Sequence, residues 1–175
     1  QRAYHVNLEQ VAAPLIVVYA ASAVGSICGG WLSSSLIKNG WAVQKARKTA
    51  MLVCALAVAA VIFVPEVASS LWFTVALISV ATAAHQGWSA NLFTVASDNF
   101  PRAAVASVVG LGGLGGAIGG ALAQRPVGVW LDYSHDAYGP IFIICGSIYL
   151  LALLIIHLLL PRRVETRKLS GFSPA

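Results

Sequence analysis

A group of side chains suited to holding a solute lies inside a stretch without charge. His85, Gln86, Trp88, Ser89 and Asn91 fall near the middle of a run, 67–97, that has no Lys, Arg, Asp or Glu. At 100° per residue on a helix, Trp88, Leu92, His85, Ser89, Thr82 and Gln86 cover an arc of about 160°, with Asn91 about 60° beyond Trp88. An imidazole, amides, hydroxyls and an indole on one face offer donors, acceptors and a flat apolar surface. That chemistry suits a sugar ring by apolar contact, and its hydroxyls or carboxylates by hydrogen bonds. The plainer alternative is hydrogen bonding between helices. A smaller set, Tyr19, Ser22 and Ser26, shares one face of an earlier run, where lining and packing both stay open.

Enzyme chemistry has little to stand on. The chain has no Ser-His-Asp grouping, no HExxH and no CxxC. Its acids lie in the gaps between apolar runs or at their ends. Cys28, Cys54 and Cys145 lie within those runs without pairing spacing, and read as small apolar packing residues. No enzyme, metal or cofactor is expected, and no nucleic-acid partner. His85 is the one group at depth able to titrate near neutral pH.

The elements that position these residues follow from the solvent. Apolar residues make up 58% of the 175, charged residues only 10%, and the mean hydropathy is +0.80. A soluble domain carries roughly 25% charged residues. Five charge-free runs, 10–37, 49–65, 67–97, 103–124 and 137–161, punctuate the chain. A bilayer core about 30 Å thick takes roughly 20 helical residues to cross. The second run is the shortest, yet 51–64 is almost wholly apolar. None alternates as a barrel strand does, and in lipid every backbone group must bond internally. The reading is an all-α integral membrane fold: a five-helix bundle over 1–161 and a basic cytoplasmic tail over 162–175.

The gaps alternate in charge. Lys38, Lys45, Arg47, Lys48 and Arg102, with Arg162, Arg163, Arg167 and Lys168 of the tail, lie on one side, and Glu9, Glu66, Asp132 and Asp136 on the other. Short basic loops stay cytoplasmic, so the start of the chain is expected outside and its end inside, in a plasma membrane (the inner membrane of a bacterium). Five is an odd number of spans, and 4–10 reads like a loop entering a helix, so upstream spans of the same protein are expected. Asp98 and Arg102 flank the turn after the third span and are read as pairing with each other or bonding helix ends, in a gating or structural role. The fourth run holds Gly110, Gly112, Gly113, Gly115, Gly116, Gly119 and Gly120. The series Gly112, Gly116, Gly120 predicts a smooth face for close helix packing, or for sliding during a conformational cycle. The first run has a similar pair, Gly25 and Gly29. Arg125, beside Pro126, is placed at the outer end of the fourth span.

Three stretches carry a resemblance: 25–38 (GSICGGWLSSSLIK) with 46–51 (ARKTAM); 85–94 (HQGWSANLFT) with Ser97, Asp98, Phe100 and Pro101; and 107–113 (SVVGLGG). With them the chain resembles the carboxy-terminal half of major facilitator superfamily transporters, in particular the anion:cation symporter group that includes hexuronate transporters. The resemblance covers nearly the whole chain, as helices eight to twelve of a twelve-helix fold. It implies that Lys38, Arg47 and Lys48 occupy the basic positions of the family's inner-loop motif, whose usual acid has no counterpart before Lys38. It implies that the third span lines a sugar-acid site, making His85, Gln86, Trp88, Ser89 and Asn91 candidates. It places the anion-binding Arg and the proton-carrying acids mainly in an amino-terminal half.

The function expected is secondary transport of an organic anion, a hexuronate or similar sugar acid, with a cation, H⁺ or alternatively Na⁺. The expected partners are that anion, the lipid bilayer and the amino-terminal half of the same protein. The rival is a non-transporting membrane assembly subunit held by small-residue faces.

Overall fold

A computed structural model describes residues 8–65, 70–134 and 138–160. It has five α-helices in chain order: α1 Leu8–Lys38, α2 Val43–Ala59, α3 Leu71–Asn99, α4 Arg102–Tyr133 and α5 Gly139–Leu159, with a short 3₁₀ helix, Ala60–Phe63, extending α2. Among the described residues there is no strand. The all-α membrane class is therefore the observed one. Glu66, Asp136 and the basic tail lie outside the described residues.

Four segments, Val11–Lys38, Val43–Phe63, Arg102–Tyr133 and Gly139–Leu159, are long and apolar enough to cross a bilayer. α3 is long enough at 29 residues, but the polar stretch from His85 to Asn91 makes it less apolar than those four. Five spans are expected from the sequence, and α3 meets that expectation by length alone.

Local signals set the helix ends. α1 stops at Gly40, whose φ of +84° a side chain would strain. There Trp41 N–H donates to Leu36 C=O (3.1 Å) and Gly40 N–H to Ile37 C=O (3.0 Å), the two bonds of a Schellman turn. Ser70 caps α3 by accepting from Phe73 N–H. Phe100 is extended ahead of Pro101, as a residue before proline prefers, so α3 ends and α4 starts within three residues.

Two boundaries differ from expectation. α2 begins at Val43, not near Thr49, so Lys45, Arg47 and Lys48 stand on a helix and not in a loop. α4 runs through Arg125 and Pro126 to Tyr133. Pro126 removes one N–H donor, which the rest of the helix tolerates. At 32 residues, α4 is about 48 Å long, well beyond the roughly 30 Å hydrocarbon layer.

The core is a seam of α2, α3 and α5. Met51, Cys54 and Ala55 of α2 meet Trp88 and Val95 of α3, with Tyr149, Ala152, Leu153 and Ile156 of α5 closing over them. A second cluster joins Val61 and Val64 to Ala81, with Leu77, Ile78 and Phe142 around it. Gly146 lets α5 approach the 3₁₀ helix, since a Cβ there would come 2.7 Å from Ile62 Cγ1. Many large apolar side chains, among them Ile27, Trp31, Leu122 and Leu158, point outward. That is what a protein solvated by lipid displays.

The tightest helix pair is α1 against α3. A Cβ on Gly25 would overlap the Ala83 backbone, and one on Gly29 would overlap Gly87. Small residues are what let two backbones come this close.

α4 is the opposite case. It has no buried residue, and a Cβ on Gly112, Gly116 or Gly120 would meet nothing within 4 Å. Among the described residues the close helix approach is made by Gly25, Gly29 and Gly87, and the glycine face of α4, expected to pack or to slide, meets no neighbour.

Candidate functional site

α3 brings two kinds of surface to mid-helix, and the expected lining set divides between them. His85 and Gln86 are exposed and Ser89 is half-buried. They form an open polar strip. Thr82 beside them donates its hydroxyl to the Ile78 carbonyl (2.9 Å), so it is already satisfied within its own helix.

Trp88 and Asn91 point the other way. Trp88 is 5% exposed and belongs to the α2–α3–α5 seam. Asn91 is 0% exposed. Its Nδ2 donates to the Gly29 carbonyl of α1 (2.9 Å) and to the Gly87 carbonyl of its own helix (2.9 Å). For these two the expectation of a solute-lining role is corrected. The 160° arc spans both an open and a packed side, and the small residues Gly87 and Ala84 turn the packed side toward α1 and α2.

Tyr149 of α5 ties the two surfaces together. Its Oη lies 2.6 Å from His85 Nδ1, one hydrogen bond whose direction follows the imidazole tautomer. Its ring stands edge-on to Trp88, centroids 5.4 Å apart, and to His85 at 5.9 Å. The imidazole is thereby held by one nitrogen while the residue remains exposed. Sequence reasoning missed Tyr149, since α5 reads as mostly aliphatic. A tyrosine in the middle of a span, away from the interfacial belts, is the signal that marks it.

On α1, Tyr19 is 72% exposed and Ser22 half-buried.

A second polar group lies at the basic end of the bundle. Arg47 Nε donates to Asp98 Oδ2 (3.2 Å) and Arg47 Nη1 to Ser33 Oγ (2.7 Å). Ser33 Oγ in turn donates to the Gly30 carbonyl (3.1 Å). Gln44 Nε2 donates to Asn99 Oδ1 (3.1 Å), and Lys48 Nζ to the Leu160 carbonyl at the end of α5 (2.8 Å). Four helices, α1, α2, α3 and α5, are clasped at one level. α2 supplies the donors of all these bonds between helices. Its positions 44, 47 and 48 share one side at three- and four-residue spacing.

Of the five expected gating residues, the structure gathers Arg47, Lys48 and Asp98. Lys38 and Arg102 are exposed at helix ends outside this clasp. Of the two roles expected for Asp98, pairing with Arg102 or bonding a helix end, neither is the contact it makes here: the carboxylate turns across to Arg47 of α2, where the guanidinium is partly shielded from water. Ser33, Gln44 and Asn99 complete the clasp and have no charge to flag them in sequence.

Among the described residues, no group of three or more His, Cys, Asp or Glu side chains could hold a metal ion. The three cysteines are free, with Cys54 buried and Cys28 and Cys145 exposed.

Searches of curated proteins and of solved structures return no match. A family model does match. That of the Major Facilitator Superfamily covers residues 1–175, and its subject is a multi-pass helical membrane protein of the transporter type, which is the architecture described above. The chain belongs to the Major Facilitator Superfamily.

Proposed function

We propose that this chain forms part of a secondary transporter that carries an organic anion, a hexuronate or similar sugar acid, together with H⁺. One bundle rocks against another around a site near the middle of the membrane. The amino-terminal half of the same protein supplies the other bundle and the charge that attracts the anion. The membrane is a plasma membrane, with the clasp end on the cytoplasmic side, because Lys and Arg crowd that end.

The observation that carries the reading is the open strip of His85, Gln86 and Ser89. Polar groups halfway along a transmembrane helix are costly against lipid and usually face a cavity or another helix. His85 and Gln86 are exposed, and the hydrogen bond between Tyr149 and His85 holds the imidazole by a single nitrogen. Hydroxyls and a carboxylate of a sugar acid fit such donors and acceptors.

The test is accessibility. Ser89→Cys in the full-length protein, otherwise cysteine-free, is treated with a membrane-impermeant thiol reagent, with and without hexuronate. Labelling that the sugar acid slows supports the reading. A cysteine sealed from the reagent in every condition points to the assembly-subunit alternative. That alternative draws on α4, whose glycine face has no neighbour among the described residues.

A further inference from the structure

A cavity of about 590 Å³ opens between the first turns of α2 and the last turns of α5, at the basic end of the bundle. Gln44, Lys45, Lys48, Thr49 and Leu52 of α2 and Leu153 and His157 of α5 line it. Positions 45, 48, 49 and 52 fall on one face of α2. Leu52 lies about 10 Å further along the helix than Lys45, and Leu153 about 6 Å from His157 in the same sense. The cavity therefore has a polar, basic rim and an apolar floor.

Among the described residues, the charges that line it have one sign. The described lining holds two lysines and a histidine and no carboxylate. The nearby acid, Asp98, is paired with Arg47. Lys48 is fixed at the wall by its bond to the Leu160 carbonyl. Lys45 sits over the Trp41 ring at 4.6 Å, and Trp at this level is the usual mark of the membrane–water interface. The first turn of α2 has no acidic residue and no side-chain cap, so its amide N–H groups add positive potential. Beyond the floor, Leu56 and Leu154 point outward and continue the apolar surface into the hydrocarbon region.

We propose that this cavity seats one anionic phospholipid. Its phosphodiester lies at the Lys45 and His157 rim, and the first part of an acyl chain runs along Leu52 and Leu153. His157 donates an N–H in either protonation state. A free phosphate would need only the rim; the apolar floor joined to the rim is what assigns a lipid. Basic pockets between helices at a membrane surface bind lipid headgroups by this chemistry.

The probe is phosphatidylglycerol, with phosphatidylcholine of the same acyl chains and inorganic phosphate as comparisons. They are offered to the full-length protein in detergent and read by native mass spectrometry. Phosphatidylglycerol is expected to be retained in preference to phosphatidylcholine. The double variant Lys45→Gln/His157→Gln is expected to weaken that preference by about fivefold or more, the worth of one Lys near a membrane surface. Lys38→Gln, which removes a cation from the same end but outside the cavity, is expected to leave it unchanged. Leu153→Trp, which fills the floor and leaves the rim, is expected to reduce lipid retention with the melting temperature preserved. Equal retention of the two lipids overturns the proposal. So does an undiminished preference in the double variant, or displacement of the lipid by millimolar phosphate.

Discussion

Arg47 of α2 and Asp98 of α3 are 51 positions apart in the chain and 3.2 Å apart in space. The side chains are 14% and 31% exposed, so water screens the pair only in part. Arg47 also donates to Ser33 of α1, which makes it the joint of three helices, whereas Asp98 joins two. A double-mutant cycle with Arg47→Ala and Asp98→Ala is expected to give a coupling of about 1 kcal/mol, at the upper end for partly exposed pairs. Arg47→Ala alone is expected to cost about 1 kcal/mol more than Asp98→Ala, because the Ser33 bond is lost with it. Unfolding of the detergent-purified protein measures both. Coupling indistinguishable from zero would mean that the two side chains stabilise the bundle independently.

The glycines give a sharper contrast. Gly29 faces the Gly87 backbone so closely that any side chain must push α1 away from α3. Backbone cannot yield as a flexible side chain can. Gly29→Val is expected to destabilise the bundle by about 3 kcal/mol, the upper range for overpacking, and to cut its yield in membranes. Gly116→Ala, on the open face of α4, is expected to be neutral or to stabilise α4 by up to about 1 kcal/mol through helix propensity. Comparison of the two variants by thermal melting decides the point, and equal losses would show that α4 packs as tightly as α1.

Much of this was legible in the chain, and what was not has a physical reason. Charge-free runs and basic gaps locate the helices because lipid penalises charge whatever the fold. Helix ends are harder: Lys45, Arg47 and Lys48 read as loop by charge, yet all three stand on α2, with Arg47 and Lys48 turned into the polar clasp and Lys45 over the Trp41 ring. The polar face of α3 was visible as an arc, but an arc does not say which part meets a neighbour. That division depends on Gly25 and Gly29 of α1, which sit more than fifty residues before Gly87 and Asn91. The glycines of α4 show the converse, for spacing that permits close packing does not supply a partner. Tyr149 was hidden because a lone hydroxyl in an aliphatic span carries no pattern until His85 is placed beside it.

Trp88 and Asn91 are expected to behave as structural residues. Trp88→Ala opens a cavity in the α2–α3–α5 seam and is expected to cost about 3–5 kcal/mol. Asn91→Ala removes the bond to Gly29, worth about 1 kcal/mol between helices in a membrane. Uptake and folded protein at the membrane should therefore fall together for Trp88→Ala. Normal amounts of folded Trp88→Ala with uptake abolished would return the indole to the solute site.

His85 and Tyr149 separate ring packing from hydrogen bonding. Tyr149→Phe keeps the edge contact with Trp88 and deletes only the bond to His85 Nδ1. Stability is expected to change by less than about 1 kcal/mol, the net worth of one hydrogen bond. Under the transport reading the consequence is functional, since the imidazole loses its anchor on the open strip. Tyr149→Phe is then expected to raise the KM for the sugar acid several-fold with little change in maximal rate, whereas His85→Ala is expected to reduce uptake about tenfold, the equivalent of 1.4 kcal/mol. Uptake assays on the full-length protein, normalised to folded material at the membrane, measure both. If both variants transport at the original KM and rate, the strip of α3 that His85 marks takes no part in binding the solute.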